Sequence, residues 1–424
     1  MKSPKIGVTS IFNSVVSVVL LWALGITLYR GFQLPMKWAT AHWLVGYDFG
    51  FTKRGLIGAA LKPVISPVVN SPDAGTRIDI LATAVLIGFC AVLFGETVRM
   101  MKRAGFSSQS ILTAALFFTS PYFVMSGHLN GYFDNILVLL TILSIHLTRK
   151  QRFIPAAIVM TAGVLVHETI LIVGLPSVLL AALLRLYRNG VQDTSSRPSL
   201  YRTAAKLTPF LLPLSVFAFI WVYQNYLTEG FIRRRALHDF FMKFDCLDKA
   251  HADGVSDAYT FPYIAYLRNQ IPVAFKSFTA RIHLVQILPN LLLMFLFIRR
   301  SISLRFPGRF FFAAALVNLC PFALFFIATD TSRLWTYPLI TAMYTIWTLY
   351  QYSPAPAAAP PPAFRAVFYG ALCLVTVTQN AFNRVNLMCG RRDLLLYEQR
   401  FLVYLPVLLV LCYCIGKEVR AKEI

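Results

Sequence analysis

Ile154-Pro-Ala-Ala-Ile-Val-Met-Thr-Ala-Gly-Val-Leu-Val-His167-Glu168-Thr-Ile-Leu-Ile-Val-Gly-Leu-Pro-Ser-Val-Leu-Leu-Ala-Ala-Leu-Leu184 decides how this chain is built. About thirty mostly apolar residues hold two ionisable side chains, His167 and Glu168, near their middle. As one over-long helix the stretch would carry both at mid-membrane, which is costly. As two spans meeting in a tight hairpin it would carry them at the surface. The flanking cations Arg152 and Arg185 require the second arrangement, because only a chain that turns back at His167-Glu168 leaves both on one side of a bilayer. Spans of roughly 15 and 18 residues then form a shallow or broken hairpin. In either arrangement an ionisable pair at or below the membrane surface is a functional candidate. No His-Glu-x-x-His spacing is present, so a zinc site is not expected.

The pattern extends along the chain. Of 424 residues, 57% are hydrophobic and 14% charged, against roughly 25% charged in a soluble domain. The apolar residues fall in blocks close to the length of a bilayer-spanning helix, and no strand-like alternation offers a barrel instead. The expectation is an all-α, polytopic integral membrane protein of about twelve transmembrane helices, forming a single transmembrane domain over 1–424. Spans are expected near 10–30, 79–98, 109–126, 134–148, 153–167, 169–187, 208–227, 283–298, 310–328, 334–350, 364–380 and 401–416. Ile11 to Leu28 is too long for a signal-peptide core and reads as the first span.

Orientation comes from the short loops. Clusters at Arg99, Lys102 and Arg103, at Arg149, Lys150 and Arg152, at Arg185 and Arg188, and at Arg299 and Arg300 all fall on one side of this alternation. The positive-inside bias makes that side cytoplasmic, with both termini inside. The net charge of +22 is read as orientation, with longer loops free to meet anionic lipid or substrate. Nucleic acid is not an expected partner, because no soluble domain presents the basic clusters.

Two extracytoplasmic loops are long, 31–78 and 228–282. In the first, Gly55 to Pro67 is apolar but too short to span, and reads as an interfacial or re-entrant helix. In the second, Pro262 to Lys276 looks helical, and the loop could fold over the outer face as a small cap. Residues 352–363 form a cytoplasmic Pro/Ala linker. Cys246 and Cys389 share the outer side, as a disulfide or as two thiols.

Five groups could carry chemistry besides packing. In Tyr47-Asp-Phe-Gly-Phe-Thr-Lys-Arg-Gly55, Asp48 could act as a base or orient a substrate, and Lys53 and Arg54 could hold a phosphate; the plainer reading is an interfacial anchor. Asp134, after Asn130-Gly131, could be a site carboxylate or a helix N-cap, and His128 reads as a solvated loop residue. His167 and Glu168 form the third group. In Asp330-Thr-Ser-Arg333, the acid and base could pair along a helix face, or Arg333 could bind an anion. The run Arg233-Arg234-Arg235 opposes the positive-inside bias, and is either a solvated face or a contact for lipid phosphate or acidic glycan.

With many spans, an acidic residue soon after span one, and His, Glu and Arg residues on the outer side, the chain resembles the polytopic glycosyltransferases of the GT-C fold and the bacterial polysaccharide polymerases. The resemblance implies transfer of a sugar from a polyprenyl-phosphate or polyprenyl-diphosphate carrier to a glycan or lipid acceptor outside the cytoplasm, at the bacterial inner membrane. It implies a carboxylate, Asp48 or Glu168, to take the acceptor's proton. It implies cations, Arg54, Lys53, Arg333 and Arg233 to Arg235, to hold the leaving phosphate. Asp134, His167 and Asp330 join these as substrate-binding candidates. Such transferases often carry a paired acidic motif in the first outer loop; here Asp48 stands alone before Phe49-Gly50, so no metal or other cofactor is assigned. A transporter or flippase of a glycolipid or anionic solute is the alternative function.

Overall fold

The computed structural model describes residues 31–65, 73–192, 200–227, 230–278, 282–303, 306–326 and 331–352, with isolated positions between 18 and 29. Among these residues the fold is entirely helical. The expected first span, the spans at 364–380 and 401–416, the linker beyond Tyr352, Asp330 and Cys389 lie wholly or largely outside the described residues.

The first long loop contributes α1 (Lys37–Leu44) and α2 (Leu56–Ile65), the second of these being the expected apolar segment after Gly55. Then follow α3 (Ala74–Arg103), α4 (Ser108–Phe118), α5 (Pro121–His128), α6 (Asp134–Arg149) and α7 (Phe153–Val166). A one-turn helix, α8 (Ile170–Val173), leads into α9 (Leu175–Gln192). Next come α10 (Leu200–Leu207), α11 (Leu211–Tyr226), α12 (Gly230–Phe241), α13 (Lys249–Thr260), α14 (Tyr263–Phe278), α15 (Ile282–Ser303), α16 (Arg309–Leu319), α17 (Thr331–Leu334) and α18 (Tyr337–Tyr352).

Three helical stretches among the described residues are long and apolar enough to cross a membrane: Ala74–Arg103, Ile170–Asn189 and Thr203–Tyr226. Helix α3 shows why such a helix suits lipid. Ile78, Ala82, Phe89 and Leu93 are buried on one side, while Ile80, Ile87 and Phe94 are 64%, 64% and 61% exposed on another. A helix that is apolar all round needs an apolar medium on its outer face. A fourth crossing is made if α4 and α5 form one span; they are bent by 40° rather than continuous. The break at Thr119-Ser120 precedes Pro121, which has no N–H to continue the ladder. Where a hairpin is expected at His167-Glu168, the structure shows a break in the helix. Helix α7 ends at Val166 and His167 takes an extended backbone.

Helix α6 packs against α3, α7 and α9, and α18 packs against α3, α9, α15 and α16. The second long loop folds into α12, α13 and α14, and α13 lies on α1, so the two long loops close on each other. Helix α2 approaches the backbone after α1 without clearance. A Cβ on Gly58 would sit 2.1 Å from the Val45 carbonyl oxygen and 2.5 Å from its carbon. Neither atom can swing away. Gly58→Ala is expected to cost about 1–3 kcal/mol or more, read as an earlier thermal melt of the purified protein in detergent; an unchanged melt would refute this close approach.

Candidate functional site

The segment between α1 and α2 is shaped by its own hydrogen bonds. Gly50, at φ +84°, closes a turn by donating its N–H to the Tyr47 carbonyl at 3.2 Å. The Thr52 hydroxyl donates to the Gly46 carbonyl at 3.0 Å. Arg54 is in the left-handed region at φ +60°, which is uncommon for a residue with a Cβ. This backbone path turns the Lys53 and Arg54 side chains into the protein. It leaves Asp48 outside, about half exposed and paired with the equally exposed Lys62 at 2.7 Å.

Arg54 meets Glu168 through two parallel hydrogen bonds, Nε to Oε2 at 3.0 Å and Nη2 to Oε1. Both side chains are less than one-fifth exposed. Burial alone would raise the Glu168 carboxyl, but the Arg54 guanidinium overrides it and holds the group well below the usual carboxylate range. The break after α7 also positions His167, which is buried. Its Nδ1 accepts the Thr169 backbone N–H at 3.2 Å, so Nδ1 carries no proton.

A second ion pair stands nearby. Asp134, buried at the first residue of α6, accepts from Arg333 at 3.4 Å and from the Tyr337 hydroxyl. Asp134 does not act as the helix cap: the capping position is Phe133, and the Asp134 carboxylate turns to α17 and α18. Arg333, expected beside Asp330, also lies 5.6 Å from the Tyr132 ring centroid. His42 of α1 sits within the field of both ion pairs. Its pKa falls well below the ordinary value, first through burial and then through Arg54, His167 and Arg333. Its Nδ1 is 3.0 Å from the Tyr259 hydroxyl.

Lys53 differs from its neighbours. It is 6% exposed, and among the described residues no carboxylate lies within ion-pair distance of it. Its ammonium instead lies 4.4 Å from the Tyr263 ring centroid, a cation–π contact. Burial, then the charge of Arg54, with Arg233 adding to it against Glu168, lowers its pKa to about 7. Arg233 is likewise short of acceptors: among the described residues its Nε and one Nη are buried without a hydrogen-bond partner. The hydroxyls of Tyr47 and Tyr263 are buried and unsatisfied too. Buried donors in excess of acceptors are what an anion site requires.

The three consecutive arginines separate because they lie on a helix. Arg233 turns inward, Arg234 pairs with Asp257 and Asp253 of α13, and Arg235 is exposed. His128, expected to be solvated, is buried. Comparison with known protein families, characterised proteins and solved structures finds no match for the chain. The site therefore stands on its own geometry.

That geometry brings Lys53, Arg54, His167, Glu168, Asp134, Arg333 and Arg233 to one end of the helix bundle and leaves Asp48, Arg234 and Arg235 at its surface. Sequence reasoning missed His42, Tyr259, Tyr263 and Tyr337. His42 was hidden in a short helix between two tryptophans, and tyrosines in a chain with 19 of them carry no individual signal. Among the described residues no three His, Cys, Asp or Glu side chains converge as a metal site. The walls are aromatic. Tyr47 stacks on Phe51 at 5.4 Å, and Phe51 in turn meets Tyr223 and Phe219.

Proposed function

We propose that the chain is a glycosyltransferase or polymerase of the bacterial inner membrane, with about twelve spans and both termini in the cytoplasm. It would move a sugar from a polyprenyl-(di)phosphate carrier to a glycan or lipid acceptor on the extracytoplasmic face. The observation that carries this reading is the buried Lys53 and the partly buried Arg233, which among the described residues lack carboxylate partners and stand beside the Arg54–Glu168 pair. A phosphate would satisfy their donors.

In the transfer, the bond between the sugar's anomeric carbon and the carrier phosphate oxygen breaks, and its electron pair leaves with the phosphate. Lys53, Arg54 and Arg233 would stabilise that charge. The acceptor oxygen bonds to the anomeric carbon and loses its proton to a base. Glu168, committed to Arg54 by two hydrogen bonds, suits holding Arg54 in place; Asp48 has the solvent access a proton acceptor needs, and neutral His42 stands deeper among the ion pairs. The aromatic wall of Tyr47, Phe51 and Tyr223 suits the carrier's first isoprene units or the face of a sugar ring.

The test is mass-spectrometric profiling of lipid-linked glycans in cells with the wild-type gene, a deletion, and Asp48→Ala at matched protein level. The deletion is expected to accumulate an unmodified lipid-linked glycan, and Asp48→Ala to reproduce that accumulation in part or whole. Wild-type glycans in Asp48→Ala would leave the proton to His42. Unchanged glycans in the deletion would replace transfer with transport.

A further inference from the structure

A second concentration of charge lies at the opposite end of the bundle. Helix α6 begins at Asp134, in the site above, and ends at Arg149, about 22 Å away at 1.5 Å per residue. Helix α18 likewise begins at Tyr337 and ends at Tyr352. Between these far ends, the end of α3 and the end of α9 is a pocket of about 690 Å³. Arg99, Arg103, Arg149, Lys150, Arg185 and Arg188 line it, together with His146.

Among the described residues one carboxylate, Glu96, serves this group, and it is already bonded to Arg99 and His146. Arg188 donates to the Tyr352 carbonyl at 2.6 Å. Among the described residues, Arg103 Nη1 and Arg185 Nε are buried without a hydrogen-bond partner, as is the Tyr352 hydroxyl. Cations needed only to orient the chain have no reason to converge from three helices on one cavity, nor to bury donors there. Leu143 also lines the pocket and is 47% exposed. It shares a face of α6 with His146 and Lys150, about two turns deeper than the latter. Apolar surface begins where the cations end, as acyl chains begin below a headgroup.

We infer that this pocket binds a phosphate-bearing headgroup of an anionic membrane lipid, with its chains leaving past Leu143. The volume of about 690 Å³ lies within the roughly 300–1,000 Å³ of ligand pockets. The same phosphate chemistry could come from a soluble diphosphate, and the experiment separates the two. The inference does not depend on the transferase reading, because the pocket shares no residue with that site.

The test is native mass spectrometry of the full-length protein in detergent, titrated separately with cardiolipin, phosphatidylglycerol, phosphatidylcholine and inorganic pyrophosphate. The double variant Arg103→Gln, Arg185→Gln removes the buried donors. The variant Arg103→Lys, Arg185→Lys keeps the charges that orient the chain, and stands in if the first does not fold. Cardiolipin and phosphatidylglycerol are expected to bind in preference to phosphatidylcholine, and the glutamine variant to weaken them about 10- to 100-fold. The lysine variant, having lost the guanidinium fork, is expected to weaken them less. Pyrophosphate binding with no lipid preference would overturn the lipid as occupant and assign a soluble diphosphate. Equal retention of all three lipids with no pyrophosphate bound, or affinities unchanged in both variants, would overturn the site.

Discussion

Glu168→Ala is expected to destabilise the protein by about 3–5 kcal/mol, because it removes one partner of an ion pair and leaves the other buried. Among the described residues Glu168 is the carboxylate that meets Arg54, through two hydrogen bonds. Both groups are mostly buried, so solvent screening spares little of the loss. The measurement is the unfolding midpoint in detergent for Glu168→Ala, Arg54→Leu and the double variant Arg54→Leu, Glu168→Leu. Replacing both ions with apolar groups is expected to recover most of the stability while leaving the glycan product absent. If Glu168→Ala melts with the wild type, the pair is not buried as described. If the double variant retains activity, Arg54 has no part in holding substrate.

Lys53→Met is expected to do the opposite: activity lost by about 100-fold or more, with stability unchanged or raised. A buried ammonium without a carboxylate costs folding free energy, and sites built for a ligand commonly trade stability for activity. The dependence on pH follows from the same residue. Its folded-state pKa of about 7 lies below the ordinary value of 10.5. Between those values the unfolded chain holds a proton that the folded chain has released, so stability rises with pH across that window and is lowest below about 7. Binding has the reverse slope. Phosphate needs the ammonium, so affinity for inorganic phosphate or pyrophosphate at this site is expected to fall as pH rises above about 7, with a proton taken up on binding. Calorimetry in two buffers of different ionisation enthalpy reads that proton directly. Lys53→Met should abolish the uptake. Equal affinity at about pH 6 and about pH 9, on either side of the midpoint near 7, would remove Lys53 from the anion site.

Much of the architecture was legible in the sequence. Apolar blocks require helices, because no water is available to satisfy the backbone in lipid. The break at His167-Glu168 was legible as well, because two ionisable groups cannot rest cheaply in the middle of a span. The apolar segment after Gly55 and the helix after Pro262 both appear where their composition places them.

Which charge meets which partner could not be read along the chain. Arg54 finds Glu168 across 114 positions and Arg333 finds Asp134 across 199, and spacing in sequence holds no record of such pairs. The run of three arginines reads as one basic patch, but a helix turns each residue by about 100°, sending Arg233 inward and Arg234 to Asp257. Asp48 and Lys53 belong to one loop, yet Asp48 stays about half exposed while Lys53 is buried, because the turn closed by Gly50 redirects the chain between them. Composition and periodicity therefore determined that the described chain is helical and that some of its helices are apolar enough to cross a membrane, since those properties belong to each segment locally. Only the tertiary structure decided which cations are neutralised and which remain for a ligand, since that depends on contacts between helices far apart in the chain.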